Sequence, residues 1–413
     1  LNFDLIGFYN KRVKRIIPVM LVVIAVVLLF SVFFFFNADL RQNSKNAIVS
    51  TIFVSNIFYW KYSGYFDPTS QNNIFLHTWS LSVEWQFYMI YPIMLMTIRK
   101  VYLKNKNRFS IMLLGFTGLS FLLCLFVVSR NQDFAFYMIP TRAWEMTLGG
   151  LAFLYSSKLK AVTSNTVAKI LVVLGYAIIL ACNPLMNESL LWPSVYSLIP
   201  CLAAFLILVY DLEFKFVKNK VFQFFGDISY SLYLWHWPIF IVFKYFGFLD
   251  WVSVIFMMIL SILFSYLTFR FIEKNNKLAS PKFVFSIIPI LLLFCGILYL
   301  YPNNFITRNY KVYSKGMSEI GDFTYNYAKN NRFQQYNSCN CFLTANAEFH
   351  FYDDKKCLSV DARKKNIVLL GDSHSAHLSY SFRQKLPADI NLLEVSAGFT
   401  MPFQHPVGRK ESV

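Results

Sequence analysis

The chain has 413 residues, of which 56% are hydrophobic and 15% charged, with 45 phenylalanines. That composition excludes a soluble globular or disordered chain and indicates a polytopic membrane protein. The net charge of +17 would suit nucleic acid, but the charges fall on the short segments between apolar runs, which points to membrane orientation and away from a nucleic-acid partner.

Nine apolar spans are expected, at 16–36, 80–98, 111–129, 138–155, 168–185, 194–210, 228–246, 252–272 and 283–301. Each holds about 17–21 residues, enough to cross a hydrocarbon core of about 30 Å. If the N-terminal side is cytoplasmic, the inner segments at 11–15, 99–108, 158–160, 215–220 and 270–282 hold eighteen Lys and Arg. The short outer loops hold four: Arg41, Lys45, Lys61 and Arg130. That asymmetry sets the orientation and sends residues 302–413 to the far side after nine crossings. The chain begins at Leu1, not Met, and ends abruptly at Val413. With no signal peptide before the basic cluster, it reads as a piece of a longer protein.

Taken in chain order, the first chemical feature is the run Lys11-Arg-Val-Lys-Arg15-Ile-Ile-Pro18. Such clusters commonly serve as orientation signals. Arg12 and Arg15 could equally dock a phosphorylated cytosolic ligand, because Arg pairs with phosphate in a bidentate way.

The most informative run is His77-Thr-Trp-Ser-Leu-Ser-Val-Glu84-Trp-Gln-Phe-Tyr88. An ionised Glu84 inside a membrane helix is expensive, and such groups are functional by default. His77 and Glu84 are seven apart, so they share one helix face, which is expected toward the outer side. Arg142 and Glu145, three apart near the outer end of the 138–155 span, are spaced for an ion pair. His236, in Tyr230-Ser-Leu-Tyr-Leu-Trp-His-Trp-Pro238, lies nine residues past Asp227. That is about 14 Å into the helix, near the bilayer midplane.

Four of seven cysteines, Cys124, Cys182, Cys201 and Cys295, lie in or beside the spans as apolar filler. Cys339, Cys341 and Cys357 lie outside, where an oxidising compartment permits a disulfide between Cys357 and either Cys339 or Cys341. No His stands at ligand spacing near them, so no metal site is expected.

Three domains follow: a membrane domain at 1–301, a polar linker at 302–364 and an α/β segment at 365–413. In the last, 365–370 reads as a short buried strand, Gly371-Asp-Ser-His374 as a turn, 375–385 as a helix and 391–395 as a second strand. Ser373 sits at the strand-to-helix turn, where a nucleophile gains exposure and backbone N–H groups can bind an oxyanion. A base must activate it. His374 cannot easily reach back, His377 is one turn on, and His405 lies in the tail. Asp372-Ser373 can also be read as a simple helix cap.

The runs at 12–18, 77–88, 140–145 and 229–238 together resemble membrane acyltransferase family 3. The Gly371-Asp-Ser-His374 block resembles the first block of an SGNH hydrolase-type domain, with Gly398 as a match for its second-block Gly. This order is similar to that of bacterial polysaccharide and peptidoglycan O-acetyltransferases. The resemblance implies a polytopic α-helical membrane bundle followed by the start of an α/β SGNH domain, in the bacterial inner membrane with the C-terminal domain periplasmic. It implies acyl transfer, usually of acetyl, from cytosolic acetyl-CoA to hydroxyls of a glycan such as lipopolysaccharide O-antigen or peptidoglycan. Arg12 and Arg15 would hold the CoA phosphates; His77, Glu84, Arg142 and His236 would line the membrane site. Ser373 would be the nucleophile on the acceptor side. Family members begin with two further helices, the first bearing an Arg and a His used in catalysis, giving eleven in all. The SGNH domain should also continue to an Asp-x-x-His block. This stretch alone is therefore expected to be inactive. The competing readings are a multi-span transporter or flippase of glycan precursors, which explains Glu84 and His236 but not the Gly-Asp-Ser-His block, and a non-catalytic glycan-binding assembly protein.

Overall fold

The computed structural model describes residues 4–62, 70–185, 191–212, 214, 217–302, 341–343, 352–397, 400–401 and 407–408. The chain forms two compact units, residues 1–322 and 323–413.

In the first unit all nine expected spans are helical. Five helices are long and apolar enough to cross a membrane: Leu5–Phe34, Lys106–Val128, Asn165–Cys182, Trp251–Glu273 and Pro281–Leu300. They correspond to α1 (Leu5–Phe34), α6 (Lys106–Val128), α9 (Asn165–Leu185), α12 (Trp251–Thr268, extended by a π turn at Phe269–Glu273) and α13 (Pro281–Leu300). The other four are α4 (Thr78–Thr97), α8 (Ile139–Val162), α10 (Leu198–Tyr210) and α11 (Lys220–Tyr245). α4, α8 and α11 carry the polar groups singled out above, and α10 is short. Large apolar side chains stand fully open on the outside of the unit, Phe153 at 82% and Leu180 at 77% exposed. A water-facing protein rarely exposes that much contiguous apolar surface. This is a multi-pass membrane protein.

Two helix limits matter for the site. α1 starts eleven residues before the expected span, capped by Asp4, whose carboxylate accepts the Gly7 N–H at 2.8 Å. Arg12 and Arg15 are therefore helical residues, not part of a preceding tail. α11 starts at Lys220, eight residues early, capped by Asn219.

The expectation of a plain outer loop after α1 is corrected. Residues 37–62 fold as α2 (Asn37–Thr51) and α3 (Ser55–Tyr62). α2 packs back against α1 and α13. It is polar yet buried, because its side chains find partners inside. Asn43 donates to Ser31 Oγ at 3.3 Å, Asn46 to Asn73 Oδ1 at 2.9 Å, and Ser50 meets Thr78 Oγ1 at 2.7 Å. Tyr245 donates to Asp39 at 2.9 Å. Hydropathy averaged along the chain has no means of registering that pairing.

α1 lies in the centre of this half and packs on α2, α4, α11 and α13. Val13, Ile17, Met20, Ile24 and Leu28 are all buried. The smaller helices α5 (Arg99–Lys104) and α7 (Gln132–Tyr137) join α4 to α6 and α6 to α8.

In the second unit, β1 (Phe342–Leu343), β2 (Lys365–Gly371) and β3 (Ile390–Ala397) form a parallel sheet in the order β1-β3-β2. The register runs from Lys365 opposite Ile390 to Gly371 opposite Ser396. Between them lie a short α14 (Asp354–Cys357) and α15 (Ser373–Lys385), which packs on β2 and β3. The strand-turn-helix-strand order is as expected, but β2 is not buried: Val368 is 55% and Leu370 53% exposed. Among the described strands β2 lies at one edge of this sheet, and burial is concentrated instead on the central β3. A disulfide joins Cys341 to Cys357, with Cα atoms 5.4 Å apart. Cys339 lies outside the described residues.

Candidate active site

His77 immediately precedes α4 and caps nothing with its side chain. Only 7% of its surface is exposed, and neither ring nitrogen has a hydrogen-bond partner among the described residues. The Tyr233 hydroxyl donates to the His77 carbonyl and also meets Ser80 Oγ. With its one proton committed to the carbonyl, Tyr233 accepts from Ser80. The Tyr233 ring lies 5.5 Å from His77 and 5.7 Å from His236, and the two imidazoles are 5.9 Å apart. Tyr230, Tyr233 and His236 recur every three residues on α11, so they form one stripe.

His236 is exposed, and its Nδ1 lies 3.2 Å from the Leu232 carbonyl. His236 sits beside the start of α4, next to His77. It is sixteen residues into α11 and nine from its end, so it lies about 24 Å from the Lys220 end. Pro238, inside α11, removes the helical donor for the carbonyl of Leu234. It is the Leu234 backbone that approaches the His77 ring, short of hydrogen-bond geometry.

Glu84 is two turns further along α4, about 10 Å from His77. The Tyr88 hydroxyl donates to it. The Arg12 guanidinium lies 4.5 Å from the Tyr88 ring centroid and 5.3 Å from that of Phe8. Tyr9 donates to the Met89 carbonyl at 2.9 Å and so fixes α1 against α4 at that level. Glu84 thus belongs with Arg12 at the basic end of α1, about two helical turns from His77.

Between these two groups stands Tyr230, which donates to the Ile16 carbonyl at 2.7 Å. Arg15, Glu84, Glu273 and Tyr233 all lie within its electrostatic reach. Ser231 donates to Glu273. Arg15 is exposed, whereas Arg12 is half-buried. The outcome is a polar seam between α1, α4 and α11, with Arg12 and Arg15 at one end and His77 and His236 at the other.

Arg142 is not part of this seam. It pairs with Glu145 at 3.2 Å and lies 5.6 Å from the rings of Trp79 and Phe136. Trp79 is two residues past His77 and projects from the opposite side of α4. Among the described residues Arg142 makes no hydrogen bond or ion pair with His77, Glu84 or His236. Its Nη1 is buried without a hydrogen-bond partner.

Tyr88, Tyr230, Tyr233 and Glu273 were missed from sequence. The three-residue spacing of Tyr230, Tyr233 and His236 was a usable signal, but Glu273 had none.

In the second unit Asp372 caps α15, accepting the His374 N–H at 2.9 Å. That backbone donor, chiefly, holds the Asp372 carboxyl below its usual range. The His374 ring is 92% exposed and 3.2 Å from the same carboxylate. Ser373 is the first residue of α15, so its backbone stands where unpaired helical N–H groups collect. The side chains of Ser373 and His377, and Gly398 and His405 entirely, lie outside the described residues. Ser375 Oγ donates to the Asp372 carbonyl and meets Ser396 Oγ of β3, both at 2.8 Å. Gly371 has φ +155°, and a Cβ there would lie 3.0 Å from Ser375, so this turn admits only glycine without a shift.

The family model described as an acyltransferase domain, acyltransferase 3, matches residues 1–270. An uncharacterised protein of Haemophilus influenzae is 32% identical over 216 residues, covering 50% of this chain and 87% of that protein. A Komagataeibacter xylinus protein named as a membrane-bound transacylase, BcsY, is 29% identical over 247 residues, 59% of this chain and 61% of BcsY. The O-acetyltransferase OatA of Staphylococcus aureus is 27% identical over 307 residues, 70% of this chain and 50% of OatA. The chain thus spans about half to three fifths of the length of these last two relatives. No solved structure matches it.

Proposed function

Because the chain belongs to the acyltransferase 3 family, we propose that it carries an acyl group, most simply acetyl, from cytosolic acyl-CoA through the bacterial inner membrane to a hydroxyl of a surface or cell-wall glycan. The observation that carries this reading is the seam itself. It joins a cationic end, suited to the phosphates of a CoA donor, to a buried imidazole beside an exposed one.

Arg15, exposed, together with its exposed neighbours Lys11 and Lys14, is the phosphate-facing part. Arg12 is engaged with Tyr88 and sets the position of Glu84. Overall, the thioester C–S bond breaks, CoA leaves as a thiol with the proton of the accepting group, and an ester forms on the glycan oxygen. His77, buried and without a hydrogen bond, is suited to take that proton in transit. The second unit supplies the final acceptor side, with Ser373 as nucleophile at the α15 terminus and the backbone N–H groups there as an oxyanion site.

The names of OatA and BcsY support O-acyl transfer at a membrane, and the basic segments support an inner-membrane orientation with the second unit outside. The test is the full-length protein in vesicles with labelled acetyl-CoA and purified glycan. Ser373→Ala should abolish glycan labelling and spare acetyl-CoA consumption. Full glycan labelling in Ser373→Ala would overturn the nucleophile. Glycan export without any labelling would favour a transporter.

A further inference from the structure

A cavity of about 490 Å³ lies between α4, α5, α6 and α8. Leu95, Met96, Leu103, Leu113, Phe153 and Leu154 make up half of its lining residues, and it includes none of Arg12, Arg15, Glu84 or Tyr88. Met96, Leu103 and Phe153 are 44%, 61% and 82% exposed. The cavity therefore opens sideways, on the apolar outer surface of the bundle, where only a membrane component can reach it.

Two features distinguish it from ordinary lipid-facing surface. The first is charge. Arg99 lines the cavity, and Lys100, Lys104, Lys106 and Arg108 follow within ten residues that include no Asp or Glu. Lys158, from the far end of α8, is drawn to the same rim by its hydrogen bond to Asn107 at 2.9 Å. The second is a polar group inside. The Tyr91 hydroxyl lines the cavity and meets no hydrogen-bond partner among the described residues. Its ring is held by stacking on Phe87, centroids 4.7 Å apart. Opposite it stands Gly150, where a Cβ would come within 2.7 Å of the hydroxyl. A larger residue at 150 would press on that hydroxyl and force it to shift.

We propose that this cavity binds one anionic phospholipid of the surrounding membrane. One acyl chain lies against the Leu95–Phe153 wall, its ester carbonyl accepts from Tyr91, and its phosphate lies among Arg99, Lys100 and Lys104. The volume falls in the range of ligand sites, about 300–1,000 Å³. It suits one chain, and the second stays in the bilayer. The lateral opening and the basic run beside it favour a lipid phosphate over a soluble one.

The test is native mass spectrometry of the full chain in detergent, with phosphatidylglycerol and phosphatidylcholine of identical chains as probes. Phosphatidylglycerol should be retained over phosphatidylcholine by about fivefold for each engaged cation. Arg99→Gln with Lys100→Gln and Lys104→Gln should erase that preference, and Leu154→Trp should reduce binding of both lipids. Glycerol phosphate alone should not compete. Equal retention of the two lipids by the unmodified protein overturns the proposal, as does an unchanged preference in the triple variant. So does competition by glycerol phosphate, which would make it a headgroup site without a chain. If Leu154→Trp fails to fold, the triple variant on the surface helix α5 decides alone.

Discussion

The imidazoles of His77 and His236 lie 5.9 Å apart, the first 7% exposed and the second open at the surface of the bundle. The two residues are more than 150 positions apart in sequence, and Tyr233 packs against both. A buried imidazole without a partner, adjoining an exposed one, can pass a proton between interior and surface. We expect His77→Ala and His236→Ala each to slow glycan acylation by about 10²–10⁴-fold, the range of general acid-base groups. The double variant should be no slower than the worse single one, as for residues that act as a unit. Losses that multiply would mean the two act separately.

Pro238 gives a second prediction. It deprives the Leu234 carbonyl of its helical donor, and the Leu234 backbone approaches the His77 ring. Pro238→Ala should restore the helical bond, raise the melting temperature and still lower acylation by about tenfold, equivalent to about 1.4 kcal/mol in the barrier. A variant that is both more stable and fully active would show that the freed carbonyl has no bearing on His77.

Arg142 forms an ion pair with Glu145 one turn along α8. Its guanidinium is held by Glu145 at 3.2 Å and lies 5.6 Å from the rings of both Trp79 and Phe136. Removing one partner of a buried pair leaves an uncompensated charge, so Arg142→Met should destabilise the protein by about 3–5 kcal/mol. Adding Glu145→Gln should recover most of the lost melting temperature. No change in melting temperature for Arg142→Met alone would contradict a structural pair.

Asp372 makes α15 dependent on pH. Its carboxyl is held below the ordinary range, mainly by the His374 N–H. The stabilisation is complete above the carboxyl's unfolded value, near pH 4, and disappears as pH falls through the lower folded value. In hydrogen exchange of the full chain, Asp372→Ala should reduce protection at the start of α15 near neutral pH, by about 1 kcal/mol as for other helix caps. The difference should vanish in acid. Equal protection of both forms near neutrality would mean that the cap does not hold this helix.

Much of the architecture was legible in the residues. Membrane helices announce themselves through long apolar runs, and all nine expected spans proved helical. The strand, turn, helix and strand around Gly371 were equally clear, because glycine and Asp mark that turn chemically. The run at 77–88 was read as opening a helix, and α4 begins at Thr78.

What the residues one by one could not reveal is which polar groups meet. α2 is too polar for any hydropathy window, and it is buried only because Asn43, Asn46 and Ser50 find partners on other elements. Glu84 and His77 share a helix face, yet their surroundings differ, since Arg12 stacks on Tyr88 at one level and Tyr233 bonds at the other. Arg142 meets Glu145 and the ring of Trp79, two residues on from His77. The sequence by itself determined the helices, because burial in lipid depends on local composition. Only the tertiary structure decided the site, because hydrogen bonds and ring contacts depend on the rotation and depth of each helix against its neighbours.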